Sequence, residues 1–166
     1  MNSPNCIQTM CGRRLPIACR GWRRGWRSSR RSASGLFERA ELLGYLTTPD
    51  PDLHLVVDGK VVVAQSANDS CHTFRLDAAA QEVWLASRCG VPAEMALLSN
   101  DRRRLGVCVQ QVVLRDDHIR IEIAPSEPSL CEGFHEDEDG AQRWTTGMAR
   151  VPERYLRPFP AALPSK

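Results

Sequence analysis

Residues 102–115 read Arg-Arg-Arg-Leu-Gly-Val-Cys-Val-Gln-Gln-Val-Val-Leu-Arg, and the predicted fold is organised around this segment. Its apolar side chains form two alternating sets, which are Leu105, Val107 and Val109, followed by Val112 and Leu114. The second set is out of step with the first, and a β-bulge at the Gln110-Gln111 pair would return both sets to one face. The alternative is a strand without a bulge that is apolar on both faces. Both interpretations predict a central strand.

Short strands joined by turns surround this stretch. Asp58-Gly59 separates two apolar runs, and this dipeptide accepts the positive φ angles of a two-residue type I′ turn, so we expect a hairpin there. Further strands are predicted for residues 71–76, 82–87 and 118–123. In the last of these, Ile119, Ile121 and Ile123 alternate with polar residues, which is typical of a strand at or near a sheet edge with one buried face.

The sequence therefore predicts an all-β fold, an antiparallel β-sandwich of jelly-roll type, with a partly closed barrel as the alternative. We place this domain at residues 49–151, because Pro49 and Pro51 interrupt regular structure just before the first strand. A short helix and linker are expected at residues 36–48, since residues 36–46 have helical spacing of apolar side chains. Residues 152–166 form a Pro-rich tail for which we expect little folded structure.

Charge is distributed unevenly along the 166 residues. Residues 1–35 hold eight of the 22 basic side chains and no acid, so they carry about +8, while the rest of the chain carries about −6. We expect this head to be disordered, because no apolar period runs through it. Nucleic-acid binding is expected only through its interleaved arginines and tryptophans, which are Arg20, Trp22, Arg23, Arg24, Trp26 and Arg27. An anionic membrane surface and an organellar transit peptide are further interpretations of the same residues.

Seven cysteines make an odd number, and three of them lie in the head, which argues against a disulfide framework. Cys71, Cys89 and Cys108 fall in strand-like sequence, where we expect cysteine to act as a small buried apolar group. The chain has no apolar run near the roughly 20 residues that a transmembrane helix needs. Its start lacks the apolar segment of a secretory signal, so a cytoplasmic location is the default expectation.

The candidate binding site lies in residues 133–147, where an aromatic side chain, an imidazole and several carboxylates stand close to Arg143 and Trp144. We predict a ligand-binding site formed by His135, Glu136, Arg143 and Trp144, in which the indole stacks on a sugar ring and the polar groups hold its hydroxyls. The alternative is a surface hairpin in which Phe134 and Trp144 pack inward and residues 136–139 form a solvated tip.

The sequence does not match the common motifs of metal sites or catalytic sites. The histidines and cysteines show no Cys-x-x-Cys or His-x-x-x-His spacing, and aligning Gly140 with the glycine of an EF-hand loop puts His135 and Thr146 where acids are needed. There is no Gly-x-Ser-x-Gly elbow and no glycine loop for phosphate. We therefore expect no metal, no cofactor and no catalytic residues. A glycan-active enzyme fragment stays open as an alternative, since two carboxylates facing one cleft could hydrolyse a glycosidic bond.

A series of short motifs across residues 49–151 resembles a known β domain. The motifs are Phe74-Arg-Leu, Val83-Trp-Leu-Ala-Ser-Arg, Val91-Pro-Ala-Glu, Asp101-Arg-Arg-Arg-Leu-Gly-Val, Val112-Val-Leu, Gly133-Phe-His-x-x-Glu and Arg143-Trp-Thr-x-Gly-x-Ala. They resemble the accessory domain that follows the Hint (Hedgehog/intein) domain in some bacterial Hint-domain proteins, and that is also found with glycosyltransferases and cell-surface polysaccharide proteins. In this family an acid tends to follow Arg-Trp-Thr, whereas this chain has Thr146.

The resemblance implies an accessory module without the processing domain. A Hint domain cleaves itself with an amino-terminal Cys or Ser, a Thr-x-x-His block and a terminal His-Asn, and none of these is present in this sequence. The unlike head suggests a truncated or displaced start. Our leading hypothesis is a noncatalytic β module that binds a carbohydrate or a protein surface, as a fragment of a larger Hint-type or glycan-associated protein.

Overall fold

The computed structural model describes the backbone of residues 5–13, and residues 50–68, 70–76, 79–95, 99–138 and 140–159. These residues form two antiparallel sheets. The strands are β1 (Asn5–Arg13), β2 (His54–Val57), β3 (Lys60–Val62), β4 (Ser66–Ala67), β5 (Cys71–Leu76), β6 (Val83–Ala86), β7 (Cys108–Arg115), β8 (Arg120–Ile123), β9 (Arg143–Trp144) and β10 (Met148–Arg150), with short helices α1 (Pro92–Met95) and α2 (Glu153–Leu156). The predicted all-β class is confirmed for the described residues.

The six-stranded sheet has the order β4-β5-β1-β7-β8, with β9 paired to the start of β7 beside β8. The four-stranded sheet has the order β10-β6-β2-β3. Neither sheet closes into a barrel within the described strands. β7 has β1 along one edge and β8 and β9 along the other, which confirms the predicted central strand.

The β-bulge predicted at the glutamines is present. Along the β1 ladder, Met10 pairs with Gln111 and Cys11 pairs with Val109, so Gln110 has no Cα partner in β1. As a consequence, the apolar residues on both sides of the bulge join one core cluster, namely Val107, Val109, Val112 and Leu114. Val113 is also buried, although it alternates with these core residues, so the strand is covered on its other face as well.

Part of the head forms a strand, so the prediction that residues 1–35 are disordered is wrong for residues 5–13. These residues pair with β5 on one side and with β7 on the other. The apolar residues of this segment do not alternate, and its partners lie some 60 and 100 residues further along the chain, so the local pattern gave no signal. The rest of the head and the helix predicted at residues 36–46 lie outside the described residues.

The other predicted strands are present with small shifts of their ends. Asp58 and Gly59 have φ angles of 47° and 78° and join β2 to β3, which confirms the predicted hairpin turn. β8 lies at the end of the sheet path, with Ile123 buried and Ile121 half-buried against the core, while Arg120 and Glu122 are exposed. The one-sided edge strand predicted there is confirmed.

One hydrophobic core cluster contains residues from both sheets. The four-stranded sheet contributes a cross-strand row of Ala149, Leu85 and Leu55, and the six-stranded sheet contributes Phe74, Val112 and Leu114 among others. Leu55, Phe74 and Ala149 have no exposed surface at all. The two sheets therefore share one hydrophobic core.

The tail also folds, at least as far as residue 159, so the domain end predicted at residue 151 is too early. Pro152 has extended backbone angles and precedes the helix α2. Leu156 and Phe159 are 6% and 7% exposed and belong to the core cluster. The prolines of the tail predicted little folded structure. In the structure, Pro152 follows β10 and begins a helical turn. No helix among the described residues is long and apolar enough to cross a membrane.

Candidate functional site

The predicted site residues lie on a short ladder between residues 133–135 and 144–146. Phe134 and Thr145 form a β-bridge, flanked by hydrogen bonds from His135 N–H to the Trp144 carbonyl (2.9 Å) and from Thr146 N–H to the Gly133 carbonyl (2.8 Å). Phe134 and Thr145 are both buried, and Phe134 joins the core cluster. The inward position of Phe134, expected for a surface hairpin, is therefore confirmed.

This ladder is fixed to the sequence that leads into β7. The Gly106 N–H donates to the Thr145 carbonyl at 2.7 Å, and a Cβ atom at Gly106 would lie 2.6 Å from both the Thr145 hydroxyl and the Gly147 nitrogen. Gly133 has a φ of 77°, and a Cβ there would lie 1.8 Å from the Met148 carbonyl oxygen. Both glycines are thus required by close backbone approach, which holds the ladder in one position.

His135 and Trp144 occupy opposite positions in this ladder. Their side chains therefore leave on the same side, opposite to Phe134 and Thr145. Both side chains are half-buried, and the His135 Nε2 atom lies 2.8 Å from the Arg104 carbonyl oxygen. Two of the four predicted site residues are thus brought together, with part of each accessible to solvent.

The Arg143 guanidinium is bound to backbone carbonyls and is therefore not a free cation beside His135 and Trp144. Its Nε donates to the His135 carbonyl at 2.6 Å, and its Nη1 donates to the carbonyls of Glu127 (3.1 Å) and Pro125 (3.3 Å). The guanidinium therefore ties the hairpin to the loop that follows β8. This arrangement differs from the ligand contact predicted for Arg143, and it makes the residue a positioning group.

Glu136 is exposed, as are Asp137 and Glu138 that follow it. Asp137 Oδ1 accepts a hydrogen bond from Gly140 N–H at 2.7 Å, which closes the turn at the tip. Because these carboxylates are solvated and adjacent, they give the tip a local negative charge. The solvated tip expected at residues 136–139 is confirmed for residues 136–138.

The acidic tip is tied to the loop before β7 by Arg103. Its guanidinium donates to Asp101 through Nη2 (2.7 Å) and Nε (3.0 Å), and it also contacts Glu138 through Nη1. These hydrogen bonds from Arg103 hold the pKa of Asp101 below its ordinary value, and the pKa of Arg103 is raised in return. Arg103 thus forms a charged bridge between two loops on the His135 side of the hairpin.

The cysteines of the described region are buried to different extents. Cys108 is fully buried, which confirms the expectation of a small apolar core group, whereas Cys71 and Cys89 are half-buried and Cys131 is exposed. None of the four forms a disulfide. Arg104 Nε donates to the Cys89 sulfur at 2.7 Å. Within the described residues, no three His, Cys, Asp or Glu side chains are grouped so that they could hold a metal ion.

A second surface was not predicted as a site. On the outward side of the four-stranded sheet, Trp84 lies beside Val56 and Arg150, with Val61 beyond Val56. The alternation in residues 83–86 does place Trp84 opposite to the core residues Val83 and Leu85, so the sequence carried a signal. The basic head residues proposed for nucleic acid, from Arg20 to Arg27, lie outside the described residues.

No family model, curated protein or solved structure matches the chain.

Proposed function

We propose that the chain is a noncatalytic accessory module, folded as a jelly-roll-like β-sandwich, that binds a neutral carbohydrate at the hairpin carrying His135 and Trp144. The observation that carries this proposal is the register of the hairpin. Because His135 and Trp144 are directly opposite each other, the indole and the imidazole lie on the same side of the hairpin. Aromatic rings beside hydrogen-bonding groups suit the alternating apolar and hydroxyl-bearing surface of a sugar.

The charges of the tip favour a neutral ligand. Glu136 supplies exposed acceptor oxygens close to His135 in the chain, and carboxylates accept hydrogen bonds from sugar hydroxyls. Asp137 adds an exposed negative charge, whereas the charge of Glu138 is compensated by Arg103, and the exposed carboxylates would repel uronic acids, phosphates and nucleic acid. A neutral hexose or an oligosaccharide of neutral sugars fits this environment better than an anionic glycan.

The site is held in place before any ligand arrives. Arg143 binds three backbone carbonyls, Arg103 joins two loops, and Gly106 and Gly133 admit close backbone contacts. A rigid site loses little conformational entropy on binding. This small entropic cost favours binding of a ligand by a single small patch of surface.

The pKa values of the carboxyl groups favour binding without catalysis. A glycosidase needs a general acid with a raised pKa and a second carboxylate about 5 to 10 Å away. Among the described residues, the carboxyl groups whose pKa values are shifted are Asp101, Glu122 and Glu127, and all three values are lowered by hydrogen bonds, chiefly from Arg103, Arg120 and Tyr155 respectively. These shifts are opposite to that required of a general acid.

The resemblance to the accessory domain of Hint-type proteins is consistent with the same role. It suggests that the module serves a larger Hint-type or glycan-associated protein by attaching it to a surface.

Titration of the full chain with a panel of neutral and acidic oligosaccharides, followed by tryptophan fluorescence, tests the proposal. We expect saturable changes with at least one neutral glycan, about tenfold weaker binding for Glu136→Gln, and loss of binding for Trp144→Ala. Arg143→Lys should affect folding of the hairpin more than ligand contact. Exclusive binding of acidic glycans, or binding that survives Trp144→Ala, would refute the proposed site.

A further inference from the structure

The two ring nitrogens of His135 have different surroundings. The Nε2 atom lies 2.8 Å from the Arg104 carbonyl oxygen. A carbonyl oxygen can only accept a hydrogen bond, so the proton of the neutral imidazole is on Nε2. The Nδ1 atom then carries a lone pair and can only accept. The Arg104 backbone thus fixes one tautomer of His135.

The Nδ1 atom of His135 is open to a ligand. Among the described residues, none forms a hydrogen bond with Nδ1, and this atom is not one of the buried polar atoms that lack a partner, so it contacts solvent. His135 is half-buried and lies opposite Trp144, with both side chains on the same side of the hairpin. A group that binds Nδ1 therefore lies on the side of the hairpin that carries the indole.

The arginines beside the hairpin use their hydrogen-bond donors within the protein. Arg143 donates from Nε and Nη1 to three backbone carbonyls, and Arg103 donates to the carboxylates of two neighbouring loops. The exposed Glu136 carboxylate, next to His135 in the chain, can only accept. The Nδ1 atom and this carboxylate are therefore both acceptors, and a ligand must supply the hydrogen atoms that they bind.

We propose that His135 is the specificity-determining residue of the hairpin site, and that its Nδ1 atom accepts a hydrogen bond from a hydroxyl group of the bound sugar. This inference rests on the proposed function, since it concerns the carbohydrate bound at the same hairpin. A hydroxyl group can donate this hydrogen bond, whereas a carboxylate, a sulfate ester, an ether oxygen or a fluorine atom cannot, because none of these carries a hydrogen to donate. The site therefore rejects a sugar that is modified at this hydroxyl, even when the modification is uncharged.

His54 provides an internal reference with the opposite tautomer. Its Nδ1 atom lies 2.7 Å from the Asp52 carbonyl oxygen, so its proton is on Nδ1 and its lone pair is on Nε2. Nitrogen NMR of the isotopically labelled full chain, in mildly alkaline solution where histidines are ordinarily neutral, distinguishes the two tautomers. We expect a protonated Nε2 and an unprotonated Nδ1 for His135, and the reverse for His54. A proton on Nδ1 of His135 in the free chain would overturn the inference, and this measurement needs no ligand.

Fluorinated sugars test the hydrogen bond itself. The methyl glycosides of glucose, galactose and mannose are titrated into the full chain, and each one that shifts the His135 signals is compared with analogues in which every hydroxyl in turn is replaced by fluorine. Fluorine is close to a hydroxyl group in size but cannot donate a hydrogen bond. We expect at least one analogue to bind about tenfold more weakly than its parent glycoside. The parent glycoside should move the Nδ1 signal towards that of a protonated nitrogen.

Two variants separate this hydrogen bond from an effect of packing. His135→Phe keeps a flat ring without Nδ1, so the parent glycoside and its fluorinated analogue should bind this variant equally weakly. His118→Phe is the matched control, because His118 is exposed in the turn that follows β7, at the opposite end of this strand from Cys108, the partner of Trp144. It should discriminate between the two sugars as the parent chain does.

The possible failures of the inference and of the proposed function differ. Fluorinated analogues that all bind as well as the parent glycoside, or discrimination that persists in His135→Phe, would overturn the inference and leave carbohydrate binding intact. A chain that binds none of the glycosides would refute the proposed function as well.

Discussion

Thr145 and Val107 donate hydrogen bonds to each other and accept them from each other. The Thr145 hydroxyl accepts a hydrogen bond from the Val107 N–H at 3.0 Å and donates one to the Val107 carbonyl at 3.1 Å, while the Thr145 N–H donates to the same carbonyl at 3.0 Å. Thr145 is 1% exposed, so no water can replace these bonds. The candidate hairpin is therefore attached to the residue that precedes the central strand, and site and core are stabilised together.

Replacing this hydroxyl should destabilise the fold. Thr145→Val keeps the shape of the side chain but leaves the buried Val107 N–H without its acceptor, which costs about 1 to 3 kcal/mol. Urea denaturation followed by circular dichroism measures the loss of unfolding free energy. Thr146→Val is the control, because that hydroxyl only donates at 3.3 Å to the carbonyls of Gly133 and Met148, and the change should cost less than about 1 kcal/mol.

Two glycines of the same hairpin region provide a matched pair for backbone strain. Gly133 and Gly140 both have positive φ angles, 77° and 71°, but a Cβ at Gly133 would meet the Met148 carbonyl whereas a Cβ at Gly140 would meet nothing within 4 Å. Gly140→Ala should cost about 1 to 2 kcal/mol from the backbone conformation alone. Gly133→Ala should cost clearly more, because the backbone must also move. Equal losses in thermal unfolding would contradict this account of Gly133.

The revised end of the domain can be checked at Phe159. Truncation to alanine removes a 7% exposed ring from the core and should lower the unfolding free energy by about 3 kcal/mol. Pro158→Ala, at the exposed neighbouring position, should change it by no more than about 0.5 kcal/mol. If both variants unfold at the same urea concentration as the parent chain, residues 156–159 do not belong to the core.

The Arg103 bridge should make stability depend on pH in the acidic range. The folded pKa of Asp101 is lowered, so its contribution is complete above its ordinary value of about 3.9 and is lost as the pH falls through the lower folded value. Because both groups are partly exposed, the contribution should be below about 1 kcal/mol. Asp101→Asn should be less stable than the parent at pH 7, and the difference should shrink below about pH 4. A difference that persists at pH 2 would exclude this ion pair as its cause.

Local patterns predicted those parts of the fold that local chemistry determines. The turn at Asp58 and Gly59 and the bulge beside Gln110 follow from backbone preference and from the two-residue period of a strand. β1 was missed because its place in the sheet is determined by β5 and β7, far away in the sequence. Phe159 was missed for a similar reason, since burial of a single aromatic after prolines depends on the tertiary fold and has no periodic signal.

The residues of the candidate site could be predicted from the sequence, but most of their contacts could not. The sequence placed His135 and Trp144 in one hairpin, and their opposed positions follow from its register. It could not place the Pro125 and Glu127 carbonyls next to Arg143, which are 18 and 16 residues away and engage its guanidinium. Nor could it bring Val61 and Met148 to the two sides of Trp84, because that requires the strand order of the sheet.

The most direct test of the central claim compares the two tryptophans of the described region. Isothermal titration of the parent chain, Trp144→Ala and Trp84→Ala with the best neutral oligosaccharide measures binding at each surface separately. We predict that Trp144→Ala abolishes binding, while Trp84→Ala binds the glycan as the parent does. Glycan binding that is lost in Trp84→Ala and retained in a folded Trp144→Ala would contradict the account.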